Sequence, residues 1–265
     1  MAVMAMSLAM ATGSVAQERI RVKGGDAFDY TISMSTDMEQ RFQGQEMSTS
    51  AAANGNARME VSGIAPDGID WGYRIIEMKT RIIAPMIGEQ DTTVSTPAVS
   101  FTTDPQGRLR STPEFGGLAP AMPGMEALTG VEQFFSPLLS RQVTVGDTWE
   151  TTQIDTVDAG GLQAVTARVI RHTYEGIVDT LGGRAHRVRS EATKLAVEGS
   201  GTVQGMDMTM DGDGTSLAVA YYSLSDGLLL VSTLDSQIDT RLSLSGMGAM
   251  IIPITSHTRM EIVRK

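Results

Sequence analysis

Met206, Met208 and Met210 alternate with polar residues in Met206-Asp207-Met208-Thr209-Met210-Asp211. In an extended chain every second side chain leaves the same face, so the three thioethers share one side of a strand. Such a row can pack a core. It can also line an adaptable apolar pocket, because unbranched Met repacks around varied ligands, or hold Cu(I) through soft sulfur. Core packing is the plainer use, and the pocket reading makes these three residues candidate ligand contacts. The chain has 18 methionines but only 5% aromatic residues, a balance that suits a pliable interior.

Other chemistry is thinly represented. Of the three histidines, His172 falls in phase with Ile170 and Tyr174 and is expected to face inward, while His186 and His257 sit on separate strands. No pair has the i, i+2 or i, i+4 spacing of metal ligands, so no metal site is expected. The acidic run from Asp207 to Gly214 resembles a calcium loop, but the twelfth position is Ala218 counted from Asp207 and Tyr222 counted from Asp211. Neither is the required Glu, so Asp211-Gly212-Asp213-Gly214 is read as a hairpin turn. No G-x-S-x-G is present, and Ser190 to Lys194 is one residue too long for S-x-x-K. Nucleotide-binding glycine fingerprints are absent too, and no cofactor is expected. Catalysis is therefore unsupported by spacing. A hydrolase would show itself only as His172 clustered in space with a Ser and a carboxylate.

Composition narrows the partners. A formal charge of −10 over 265 residues argues against nucleic acid, which needs clustered Lys and Arg. Hydrophobic residues at 41% and charged residues at 20% describe an ordinary globular chain. Cysteine is absent, which removes disulfides, thiolate metal sites and a lipid-modified Cys. The uncharged segment 1–16 ends in Ser14-Val15-Ala16, a small-x-small pattern, and is read as a signal peptide. The expected placement is bacterial and exported: periplasmic, outer-membrane-associated or extracellular. No apolar stretch approaches about 20 residues, so the chain is expected not to be membrane-spanning.

The elements that position these residues are strands. From Phe28 to Phe42 apolar and polar side chains alternate, and similar runs recur through Ile75 and from Ala167 to Val263. Asn54-Gly55 reads as a hairpin dipeptide, and the doubled Ile75-Ile76 as a β-bulge. The expected fold is all-β: long antiparallel meanders forming a curved sheet, half-barrel or barrel. A first meander half (17–112) and a second (150–265) flank a Pro/Gly-rich crossover (113–149). Within the crossover Met125, Leu128, Val131, Phe134, Phe135, Leu138 and Leu139 recur at helical spacing, predicting a helix from Gly124 to Ser136. That helix would either plug a core or cover a pocket, which adds Phe134, Phe135 and Leu138 to the candidate ligand contacts. Gln43-Gly44-Gln45-Glu46-Met47 echoes Gln204-Gly205-Met206-Asp207-Met208, as a duplicated meander would.

The strand and hairpin from Phe28 to Met47, together with the crossover running into Val143-Thr144-Val145-Gly146-Asp147-Thr148-Trp149-Glu150, resemble uncharacterised exported bacterial proteins of the domain-of-unknown-function type. The architecture also resembles the periplasmic lipoprotein-localisation carriers, and that resemblance implies an unclosed barrel cupping acyl chains. The expected function is non-catalytic binding of a lipid or other apolar small molecule in the concavity of a curved sheet. The alternative is a structural or interaction module that docks another envelope protein.

Overall fold

The computed structural model describes residues 15–16, 19–42, 44–85, 88–111, 131–138, 142–159, 161–180, 183–203, 206–245 and 250–265. Most of the expected signal segment, and Met125, Leu128 and Leu139 of the crossover, lie outside the described residues. In chain order the strands are β1 (Val15–Ala16), β2 (Ala27–Phe42), β3 (Gln45–Ala65), β4 (Gly68–Ala84), β5 (Gly88–Val94), β6 (Val99–Thr103) and β7 (Gln142–Val143). They continue as β8 (Thr148–Ala159), β9 (Leu162–Thr180), β10 (Gly183–Val203), β11 (Met206–Ser223), β12 (Leu229–Ser245) and β13 (Met250–Arg264). The all-β antiparallel meander expected from the alternation is the fold.

Ten strands form one path, β5-β4-β3-β2-β13-β12-β11-β10-β9-β8, with β6 also paired to β4 in an 11-stranded sheet. The two meander halves fuse where β2 pairs with β13, Met34 opposite Met260 and Ile32 opposite Ile262. Residues directly opposite across strands share a face. Tyr30, Ile32 and Met34 therefore lie on the same side as Met260, Ile262 and, through β3, Ala53 and Ala57, and all of these are buried. The other side carries Asp29, Thr31, Ser35, Asp37, Arg259 and Glu261.

Contacts across several strands show that the sheet curls. The Tyr30 hydroxyl donates to the Leu229 carbonyl at 3.4 Å, although β13 lies between their strands. On a flat sheet those strands would be about 10 Å apart. Phe135 bridges Leu228 through its backbone, while its ring lies 5.2 Å from that of Trp71 on β4. The free edges β5 and β8 do not pair with each other among the described residues, so the curled sheet stays unclosed.

Glycine explains part of the curl and corrects two sequence expectations. Asn54-Gly55 and Asp211-Gly212-Asp213-Gly214 are not turns; they lie inside β3 and β11. A Cβ on Gly55 would sit 2.2 Å from the Glu77 carbonyl oxygen, and one on Gly212 would sit 2.5 Å from that of Asp239. Only a residue without a side chain allows neighbouring backbones that close, which is the strand use of glycine at a tight bend. The bulge at Ile75-Ile76 is present: Asn56 faces Glu77 and Ala57 faces Ile75, leaving Ile76 as the extra residue.

Within the described part of the crossover, residues Val131–Phe134 form a 3-10 turn and not the expected α-helix. Pro137 denies an i→i−4 bond just downstream, and the chain instead pairs into the sheet at Phe135.

Candidate functional site

The concave face has two unlike halves. At the end marked by Tyr30, Trp71, Tyr174 and Leu229, the crossover fills it. Val131, Phe134, Phe135 and Leu138 are at most 5% exposed there. The Phe134 ring lies 4.6 Å from that of Tyr30 and 5.7 Å from that of Tyr73, and the Phe135 ring also meets Phe101 at 6.2 Å. Offset and edge contacts of this kind are the favoured aromatic geometries. Of the two roles the crossover could take, the described portion is a plug.

At the opposite end, Met206, Met208 and Met210 alternate with exposed Asp207, Thr209 and Asp211, as the spacing required. Register extends their face sideways. Met208 stands opposite Leu244 and Met210 opposite Leu242 on β12, which in turn face Met250 and Ile252 on β13. Apart from buried Ile252, these side chains are half-buried. The sequence reading missed Leu242, Leu244 and Ile252. Their own alternation marks them as inward, but strand partnership is invisible without register.

The six candidate contacts do not gather in one place. Phe134, Phe135 and Leu138 pack near the Tyr222 end of β11, and Met210 lies twelve residues away along that strand. At about 3.3 Å per residue the separation is roughly 40 Å.

A polar cluster lines the same inner face near the β8 edge. His172 Nδ1 is 2.8 Å from the Ser190 hydroxyl and its Nε2 is 2.8 Å from the Thr151 hydroxyl. The Trp149 ring stacks on the imidazole at 5.2 Å. A Ser–His hydrogen bond is the first requirement of an activated serine, but here the second nitrogen meets a hydroxyl in place of the orienting carboxylate. Both Ser190 and His172 also sit in fully paired strands, so their backbone N–H groups serve the sheet and not an oxyanion. Deeper in the same wall, the Tyr174 hydroxyl is 3.0 Å from His186 Nδ1, and burial pushes the His186 pKa below its ordinary value.

The acidic run faces outward. Asp213 stands opposite Asp239, whose carboxylate accepts a 2.6 Å hydrogen bond from Thr255. A depression of about 180 Å³ lies there, bordered by Asp211, Asp213, Asp239 and Arg241. Among the described residues no group of three or more metal-ligating acids or histidines occurs.

No family model and no curated protein matches the chain. Solved structures that align along the chain include an outer membrane channel from Pseudomonas putida F1, 6% identical over 93% of this chain and 98% of that one, with a TM-score of 0.29. OmpF of Salmonella typhi, solved with daunomycin, is 8% identical over 89% of this chain and 98% of that one, with a TM-score of 0.26. OccK7 of Pseudomonas aeruginosa is 9% identical over 91% of this chain and all of that one, with a TM-score of 0.25. Similarity at this level reflects a shared abundance of strands. The expectation that the chain is not membrane-spanning is corrected on other grounds: it came from the lack of a long apolar helix, and that lack says nothing of a chain built of strands, because β-barrels cross membranes with strands.

Proposed function

We propose that the chain is an exported protein of the bacterial envelope that holds a lipid or another apolar molecule against the Met-lined half of its concave face. One observation supports this reading above the others. The crossover fills one half of the concavity, while Met206, Met208, Met210, Leu242 and Leu244 in the other half remain half-buried on the inward side. Ligand sites are concave and mostly apolar, and flexible Met suits an acyl chain of variable shape.

The test begins with protein purified natively and protein refolded from denaturant. Solvent extraction and mass spectrometry should recover lipid from the native sample alone, and the refolded protein should bind cis-parinaric acid. Met210→Asp, which places a charge on the apolar wall, should lower that affinity about tenfold or more. Native protein that yields no lipid, together with refolded protein that ignores the probe, would overturn the reading.

A second reading, an interaction module of the envelope, is favoured by β8. It is a twelve-residue edge strand, and Ile154 near its middle is 66% exposed. A free edge with an apolar side chain can accept a strand from a partner protein.

A further inference from the structure

Alternation keeps charge off the inner side of the sheet beyond the plug, with one exception. Strand parity sends Asp211, Asp213, Asp235, Asp239 and Arg259 outward. Among the described residues, the registers bring only two of the Asp, Glu, Lys and Arg side chains into the open half of the concavity, Arg168 on β9 and Asp155 on β8. Arg168 has the parity of His172 and of buried Tyr174. Pairing of β8 with β9 runs unbroken from Thr148 to Ala159, so Trp149, Thr151, Gln153 and Asp155 share that side.

Arg168 lies between Gln153 on one neighbouring strand and buried Leu195 on the other. Its Nη2 reaches Asp155 Oδ2 at 3.3 Å, and the two side chains are 27% and 30% exposed. On the outer face, by contrast, Arg58 donates to both oxygens of Asp29 at 2.7 and 2.8 Å. The inner pair is the looser one, although a guanidinium carries five N–H donors in a fork that matches a carboxylate. An inward, partly desolvated ion pair adds little to stability, so stability does not account for it.

We propose that Arg168 anchors the carboxylate of a long-chain acid whose tail lies along the concave wall toward Met208 and Met210, with Asp155 as the counterion that the acid displaces. The proposal rests on the carrier reading and narrows its ligand to an amphiphile with one negative charge. A single inward guanidinium balances a single carboxylate, and Gln153 beside it offers an amide donor. The tail has a path. Met210 stands opposite Gly199, and Gly199 opposite Ala164, four residues along β9 from Arg168. The course is about 13 Å along the strand and about 10 Å across two strand spacings. It passes Thr166 and Val197 before reaching the two methionines, and no further charge interrupts it among the described residues.

The methyl ester of cis-parinaric acid has the tail of the acid without its charge, and the pair of probes tests the proposal. Titrated by fluorescence into refolded protein at about pH 8, where the acid is ionised, the acid should bind roughly tenfold more tightly than the ester. Arg168→Gln should abolish that preference by weakening the acid alone, while Arg168→Lys should keep part of it. Asp155→Asn, which removes the competing carboxylate, should enlarge it. Arg171→Gln, on the outer face against Glu150, should leave it unchanged. Because the preference is a ratio measured on one sample, partial unfolding of a variant does not alter it. Equal binding of acid and ester by the wild type, a preference that survives Arg168→Gln, or an equal loss in Arg171→Gln would overturn the proposal and leave the carrier reading standing. Protein that binds neither probe overturns the carrier reading and this one with it.

Discussion

His186 is 2% exposed, and its Nδ1 lies 3.0 Å from the Tyr174 hydroxyl. Burial disfavours the imidazolium, so the folded-state pKa lies below the ordinary 6.5. The unfolded chain then binds a proton more readily than the folded one. Stability is accordingly full above about pH 6.5 and falls as pH drops from there through the folded-state pKa, with a slope no steeper than about 1.4 kcal/mol per pH unit. Urea midpoints at pH 7.5 and 5.5 should show this loss, and His186→Gln should flatten it. Asp29, held below the usual carboxylate range by the hydrogen bond from Arg58, adds stability that is full above its ordinary 3.8 and is lost as pH falls below that value. Glycine belongs to the same scale. Gly212→Val should destabilise the protein by about 1–3 kcal/mol, because its side chain would be driven into the Asp239 carbonyl. Asp211-Gly212-Asp213-Gly214 has the composition of a turn, and composition alone does not separate a turn from a bend within a strand. The difference lies in what the neighbouring strand does, which no local window contains.

Among the elements, the crossover couples distant parts of the sheet. Phe134 is fully buried and touches rings from β2 and β4, so Phe134→Ala should cost about 3–5 kcal/mol in chemical denaturation. The same loss is not expected at Met208, which is only half-buried. Strand existence and inward parity were legible, because period-2 alternation survives in a sheet with one dry face. Strand length was not. The turn expected at Asp211-Gly212-Asp213-Gly214 lies inside β11, since glycine interrupts the pattern without ending the strand. The 3-10 turn was hidden for a related reason: Val131, Phe134, Phe135 and Leu138 satisfy helical spacing and also fit a short turn followed by extended chain. The His172 cluster was half legible. Its inward phase could be read, but Ser190 and Thr151 come from other strands.

For the molecule as a whole, the joining of the halves along β2 and β13 sets the order in which the fold can form. Val263 lies opposite Thr31 and Ile254 opposite Gln40, so the central seam of the sheet unites the two ends of the described chain. As the chain folds, hairpins such as β3–β4 and β9–β10 can zip locally, because their partners are adjacent in sequence. The seam must wait for the final fifteen-residue strand. Until that strand emerges, the first meander presents one edge of β2 without its native neighbour, and the crossover lacks half of its cradle. Loops closed over such separations form slowly. The chain thus carries its own delay, with the curled sheet locking only once β13 is free to close the seam against β2.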